Sequence, residues 1–217
     1  MKKAIVIGGT GMVGIELVKL LLENNDFSEV VSLVRRASAI VHPKLNELLI
    51  DFDKPETWKH FITGDVLFST LGTTMAQAKT KEAQYKVDFT YQFAVAEIAS
   101  QNGIPVYVLV SSAGADSKSA VFYSSMKGKL DKAVQLLPFK VISILRPGQL
   151  DGNRTEHRTG EKIALSVVYA LNKLGILQKY RPIQAMDVAK AMITASTKSF
   201  SGIYTLNEVH KLSFSRD

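Results

Sequence analysis

The stretch "AVFYSSMKGKL", residues 120–130, holds Tyr123 and Lys127 four positions apart. In a helix, two residues at that spacing sit one turn above each other on one face. A phenol beside an ammonium is a proton-transfer pair when a substrate oxygen reaches it. It is equally two polar groups on a solvated face, and the spacing alone does not separate these readings. An ammonium about 4 Å from a phenolate attracts it by roughly 4 kcal/mol at an effective dielectric near 20. That attraction favours the phenolate and brings the phenol toward neutral pH, where a general acid/base works best. Upstream, "VSSAGAD" carries Ser111 and Ser112. Their hydroxyls are candidates to hold a reacting oxygen.

These side chains need a scaffold that presents them together. Short apolar, β-branched runs alternate with helical patterns along the chain, the signature of βαβ units and a parallel sheet. "KAIVIGG", "EVVSLVRR", "LNELLIDF", "DVLFSTLG", "VYVLVSSAG", "KVISILRPG" and "GIYTL" read as seven strands. Their runs are apolar on both faces, as expected where helices cover both sides of a sheet. "MVGIELVKLLLENN" reads as the first helix, with Val13, Leu17, Leu20 and Leu21 along one face. A long helix is predicted over residues 81–102, and another carries Tyr123 and Lys127. The expected fold class is α/β, a doubly wound parallel Rossmann sheet in a single domain spanning 1–217. After Leu150 the pattern turns polar, and residues 151–182 read as an insertion over the ligand edge, with a helix near 162–174.

"VIGGTGMVGIEL" places Gly9, Gly11 and Gly14 in G-x-G-x-x-G spacing, and Gly8 extends the pattern backward. The motif follows a predicted strand and opens a predicted helix, the context in which it signifies dinucleotide binding. Glycines allow the tight turn and close backbone approach, and the helix N-terminus stabilises a pyrophosphate. Gly8, Thr10, Gly11, Met12 and Val13 are therefore expected at the cofactor. About 20 residues further on, where an NAD site places an acid on the ribose, the sequence has Arg35 and Arg36. Guanidinium forks bind a 2′-phosphate that a carboxylate would repel, so NADP(H) is the expected cofactor. Ligands sit beyond the carboxyl ends of parallel strands. That rule adds Asp51 and Phe52 near an adenine, and Leu71 and Gly72 after the fourth strand. Asp51 reads equally as a helix cap.

The bulk composition narrows the alternatives. With 217 residues, 46% of them hydrophobic, the chain can bury one sizeable core. The absence of cysteine excludes disulfides, thiol nucleophiles and thiolate metal sites. The net charge is +7, yet the 27 Lys and Arg are scattered among 20 acids, so no nucleic-acid partner is expected. A basic surface instead suits phosphate-bearing small molecules. His42, His60, His157 and His210 lack metal-ligand spacing, and no metal is expected. The apolar run at Ala4–Ile7 is too short for a secretory signal, and the longest apolar stretch is broken by Lys173. A cytoplasmic protein without a membrane span, monomeric or homodimeric, is the simplest expectation.

Taken together, "GGTGMVG", the serines followed by Y-x-x-x-K, "LRPG" at 145–148 and "AMDVAKAM" at 185–192 resemble the short-chain dehydrogenase/reductase superfamily. The texture of "STLGTT" and "SSAGADSKSAVFYSSMKGKLD" looks closest to its atypical Tat-interactor-like group of small NADPH-binding proteins. The resemblance implies that Tyr123 is the general acid/base for a carbonyl or alcohol. It implies that Lys127 favours the phenolate and binds the nicotinamide ribose, and that Ser112, with Ser111 as fallback, holds the substrate oxygen. Pro147 and Leu150 would pack near the nicotinamide. Arg154, Arg158 and Arg181 could favour an anionic small-molecule substrate, or lie on solvated surface. The proton-relay asparagine of the shorter branch has no clear counterpart; Asp88 lies on the relevant helix. The resemblance thus implies an NADPH-dependent oxidoreductase, with a non-catalytic NADPH-binding regulator as the alternative and an isomerase or epimerase that retains its NAD(P) as a third reading.

Overall fold

The run Ala4–Ile7 has no exposed surface at all, and the reason is its place in the middle of a parallel sheet covered on both sides. In the computed structural model, which describes residues 1–151 and 182–214, this run belongs to β1 (Lys2–Ile7). The sheet adds β2 (Phe27–Val34), β3 (Leu45–Leu49), β4 (Val66–Ser69), β5 (Val106–Val110), β6 (Val141–Arg146) and, last in the chain, β9 (Gly202–Thr205). Its order is β3-β2-β1-β4-β5-β6-β9, with every neighbouring pair parallel. The α/β expectation holds. The two-residue alternation of a strand sends Ala4 and Val6 to one face and Ile5 and Ile7 to the other.

The first face is covered by α1 (Met12–Glu23), α6 (Ala185–Ala195) and α7 (Asn207–Phe214), through Leu17, Leu21, Val188, Met192 and Val209. The second is covered by α4 (Gln92–Gln101) and α5 (Phe122–Val134), through Val95, Ala99 and Leu130, with Trp58 beside them. The long helix expected over 81–102 forms as α3 (Lys81–Tyr85), a π-helical stretch (Lys86–Tyr91) and α4, after a short α2 (Met75–Ala78). Edge strands depart from the expectation of two buried faces. β3 and β9 hold only half-buried and exposed residues, because each has a neighbour on one side only. Leu150–Asp151 (β7) and Ile183–Gln184 (β8) form a two-stranded parallel ladder too short to show in a sequence pattern. Of the insertion expected at 151–182, only its two end residues are among the described residues. The expected helix near 162–174, with Arg154, Arg158 and Arg181, lies outside the described residues.

Helix α5 sits unusually close to the loop after β5. Gly128 faces that loop, and a Cβ there would lie 2.7 Å from Asp116 Cα, with Ser117 N closer still. Backbone cannot give way as a flexible side chain can. Gly128→Ala should therefore cost about 1–3 kcal/mol, lowering Tm by about 2–4 °C for each kcal/mol in a chain of this size. A thermal scan of the variant beside the native protein checks this.

Candidate functional site

The strand order reverses between β1 and β4, so the chain leaves these adjacent strands toward opposite faces and a crevice opens between the two connections. Gly8 lies in the left-handed region at φ +80°, and a Cβ on it would sit 2.5 Å from Leu71 N. Gly14 sits against the same turn. A Cβ there would run into Gly8 O and lie 2.8 Å from Thr70 Oγ1. Gly11 N donates to Gly8 O at 2.9 Å, and α1 starts at the next residue. Thr70 Oγ1 donates to Ile7 O at 3.0 Å and ties the two loops. The open N-terminus of α1 carries unpaired N–H groups and the positive end of the helix dipole.

A cavity of about 470 Å³ occupies this crevice. Thr10, Gly11, Met12 and Val13 line it from the glycine turn, Leu71 and Gly72 from the β4 loop, and Ser111 from the end of β5. Tyr123 and Lys127 line it from α5, and Leu150 from β7. The glycine turn, the strand-end serine and the Tyr–Lys helix thus converge on one space. Tyr123 is 39% exposed at its opening, while Lys127 is 3% exposed at its floor.

Other residues singled out in the sequence lie elsewhere. Ser112 does not line the cavity, although its neighbour Ser111 does; the Ser112 carbonyl accepts from Ala115 N at 2.9 Å. Arg35 and Arg36 stand exposed just past β2, in no ion pair among the described residues. Phe52 is a core residue, stacked on Tyr91 with ring centroids 5.1 Å apart. Asp51 closes a turn by accepting from Asp53 N at 3.0 Å. Pro147 is buried, its carbonyl accepting from Ala113 N at 3.0 Å. The cavity also takes in Asp88, noted in the sequence only for its place on the relevant helix, and Thr73, Thr74 and Gln77, which sequence reasoning did not assign. The continuation "STLGTTMAQ" beyond Gly72 was the available signal for the last three.

Polar groups lie beneath the cavity on the inner side of α5. Lys127 and Asp131, one turn apart, are both buried. Lys127 Nζ lies 3.5 Å from Asp88 Oδ1, and Asp88 Oδ2 accepts from Thr73 N at 2.8 Å. Asp131 Oδ2 accepts from Arg146 Nε at 2.8 Å and pairs with the same guanidinium through NH2. Burial pushes both carboxyls above the usual aspartate range, against the pull of Lys127 on Asp88 and of Ser111 and Arg146 on Asp131. Ser111 Oγ and Asp131 Oδ1 are buried and neither closes a hydrogen bond of good geometry, yet the hydroxyl is near enough to favour the ionised carboxyl. Tyr107 OH is also buried without a partner, and burial raises its pKa.

Fold and glycine turn define a Rossmann domain built to receive a dinucleotide. Residues 8–199 match a family model described as NAD(P)H-binding. Protein fmp52, mitochondrial, of Emericella nidulans is 36% identical over 210 residues, covering 93% of this chain and 90% of that protein. Protein FMP52, mitochondrial, of Candida albicans is 32% identical over 203 residues, covering 91% and 89%. The chain belongs to the NAD(P)H-binding family. Among solved structures, the ADP-L-glycero-D-manno-heptose-6-epimerase of Helicobacter pylori shares the fold with a TM-score of 0.71 at 19% identity, over 96% of this chain and 80% of that one. The Bordetella bronchiseptica enzyme WbmH, solved with NAD+, does so with a TM-score of 0.70 at 15% identity, over 94% and 75%. The expected NAD(P)-binding Rossmann domain is borne out by the family model and by the shared fold. The finer Tat-interactor-like likeness rests on the sequence motifs alone. The expectation of a cytoplasmic protein is overturned by the curated relatives, which are named as mitochondrial proteins. Cellular address is read by receptors from signals that domain composition does not report. Among the described residues no helix is long and apolar enough to cross a membrane.

Asp131 is the buried anchor of Arg146. Asp131→Ala would leave the guanidinium without its counter-charge, at a cost of about 3 kcal/mol. Urea denaturation should show this as a lower midpoint at an unchanged m-value.

Proposed function

We propose that this protein is an NADP(H)-dependent oxidoreductase acting on a carbonyl or alcohol carbon, working in mitochondria. The observation that carries the reading is the convergence of Tyr123, Lys127 and Ser111 on the cavity that begins at the glycine turn. The cradle fits a dinucleotide. Gly8 and Gly14 leave no room for a Cβ, so the backbone of both loops lies bare at the N-terminus of α1, where phosphate is favoured. Thr10, Gly11, Met12 and Val13 would hold the pyrophosphate, and Leu71 and Gly72 would flank the cofactor beyond β4. Arg35 and Arg36 would take the 2′-phosphate through bidentate hydrogen bonds. The cofactor, when bound, supplies or accepts the hydride.

Chain residues supply the rest of the chemistry. Tyr123, half in solvent at the opening, gives a proton to the carbonyl oxygen or takes one from the alcohol. Lys127, one turn below on the same helix, would steady the charge that develops on that oxygen and would bind the ribose. Between the two serines the cavity favours Ser111, with Ser112 outside the lining, as the group beside the substrate oxygen. Leu150 packs where the reacting ring would lie, and buried Pro147 holds the strand end behind it.

Tyr123→Phe tests the reading. Turnover on a carbonyl and alcohol panel should fall roughly a hundred- to ten-thousand-fold, while a fluorescence titration shows NADPH binding retained. Absence of turnover by the native protein, with partner binding that follows NADPH occupancy, would instead make it a cofactor-dependent regulator. Arg35→Asp should lower the NADPH-over-NADH affinity ratio about tenfold or more, as expected for losing a charge-assisted hydrogen bond. An unchanged ratio would remove Arg35 from the phosphate site.

A further inference from the structure

Asp88 lies in the π-helical stretch Lys86–Tyr91, where the extra residue in the turn re-aims the side chains that follow. Its carboxylate is 1% exposed and does two things at once. Oδ2 accepts from the backbone N–H of Thr73 at 2.8 Å, and Oδ1 lies 3.5 Å from Lys127 Nζ. Gly72 comes close as well, since a Cβ there would sit 3.3 Å from Asp88 Oδ1. One buried group therefore joins the loop after β4 to the ammonium below Tyr123.

We infer that Asp88 is a positioning residue whose carboxylate neutralises Lys127, so that the Asp88–Lys127 pair rather than the lysine alone sets how readily Tyr123 ionises. The balance of charge around the lysine supports this. From its own helix it meets Asp131, but Arg146 of β6 claims that carboxylate at 2.8 Å. Tyr107 of β5, beside Asp131, is an uncharged phenol that burial holds un-ionised. Lys81 of α3 lies 5.7 Å from the centre of the Phe122 ring, at the head of α5. Among the described residues, Asp88 is the carboxylate left to face Lys127. In a buried setting an anion 3.5 Å from an ammonium cancels most of the field that the cation would project onward. Asparagine at position 88 keeps the shape and an acceptor for Thr73 N–H, but leaves the charge of Lys127 uncovered. The phenolate of Tyr123 then gains stability, and its ionisation moves to lower pH.

The catalytic meaning of this inference rests on the proposed role of Tyr123, but its test does not require turnover. Phenolate absorbance is followed against pH in the native protein and in Asp88→Asn, each with its Tyr123→Phe counterpart subtracted to isolate Tyr123 among seven tyrosines. The midpoint should fall by about one pH unit in Asp88→Asn, a tenfold change in proton affinity. Asp88→Glu, which keeps the charge, should titrate as the native protein does. Asp88→Ser, neutral and smaller, is read in the same way, so a poorly folding asparagine variant leaves the question answerable. A midpoint that is unmoved or raised in a cooperatively folded neutral variant overturns the inference, because a purely structural Asp88 lowers stability without moving Tyr123. A native protein that turns over no carbonyl or alcohol counts against the proposed function instead, and leaves the titration to decide this point.

Discussion

Where the strand order turns back on itself, three backbone segments must touch without a side chain between them. The turn after β1, the first turn of α1 and the loop after β4 meet there, and Gly8 and Gly14 fill the positions at which any Cβ would strike main-chain atoms. Gly8 also needs a left-handed backbone that other residues adopt only at a cost. This close approach brings the start of α1 up to the end of β4 and leaves its unpaired N–H groups facing the crevice. Much of the ligand edge follows, because Tyr123, Lys127 and Ser111 have a function only if a ligand can lie against those two loops.

A second constraint lies beneath the cavity. Helix α5 presents Lys127 and Asp131 on its inner side, where Met126, Leu130 and Val134 are also buried. Buried charges are costly, and a pair repays that cost only with close geometry and further hydrogen bonds. Here Asp88 and Arg146 supply the partners, and Thr73 N–H satisfies the remaining oxygen of Asp88. Uncompensated atoms nevertheless persist at Ser32, Tyr107, Ser111 and Asp131, and of these residues Ser111 lines the cavity.

Family membership sets a frame of NAD(P)H binding, and the sheet is shared with sugar-nucleotide epimerases of very different sequence. At such distances the shared part is the scaffold, since one fold hosts many chemistries at its ligand edge. Within that frame this chain carries an exposed arginine pair just past β2, neutral Thr73, Thr74 and Gln77 beyond Gly72, and an aspartate 3.5 Å from Lys127.

Much of the architecture was legible from local pattern. Strand runs such as Ala4–Ile7 announce a doubly covered sheet because hydrophobic burial acts on every residue of the run. The glycine spacing announces the turn because no other residue tolerates the backbone approach, and Tyr123 with Lys127 share a face through helical periodicity alone. Such features depend on neighbours in sequence, so the sequence by itself determined them. Tertiary structure decided what depends on distant neighbours. It placed Ser111 rather than Ser112 on the cavity and turned Phe52 inward to stack on Tyr91. Through a π-helical turn it also aimed Asp88 at a lysine 39 positions away. A π-turn has no plain sequence signature, and an ion pair across two helices has no periodicity to betray it. Only the packed fold could show that the lysine expected to act alone has a buried partner.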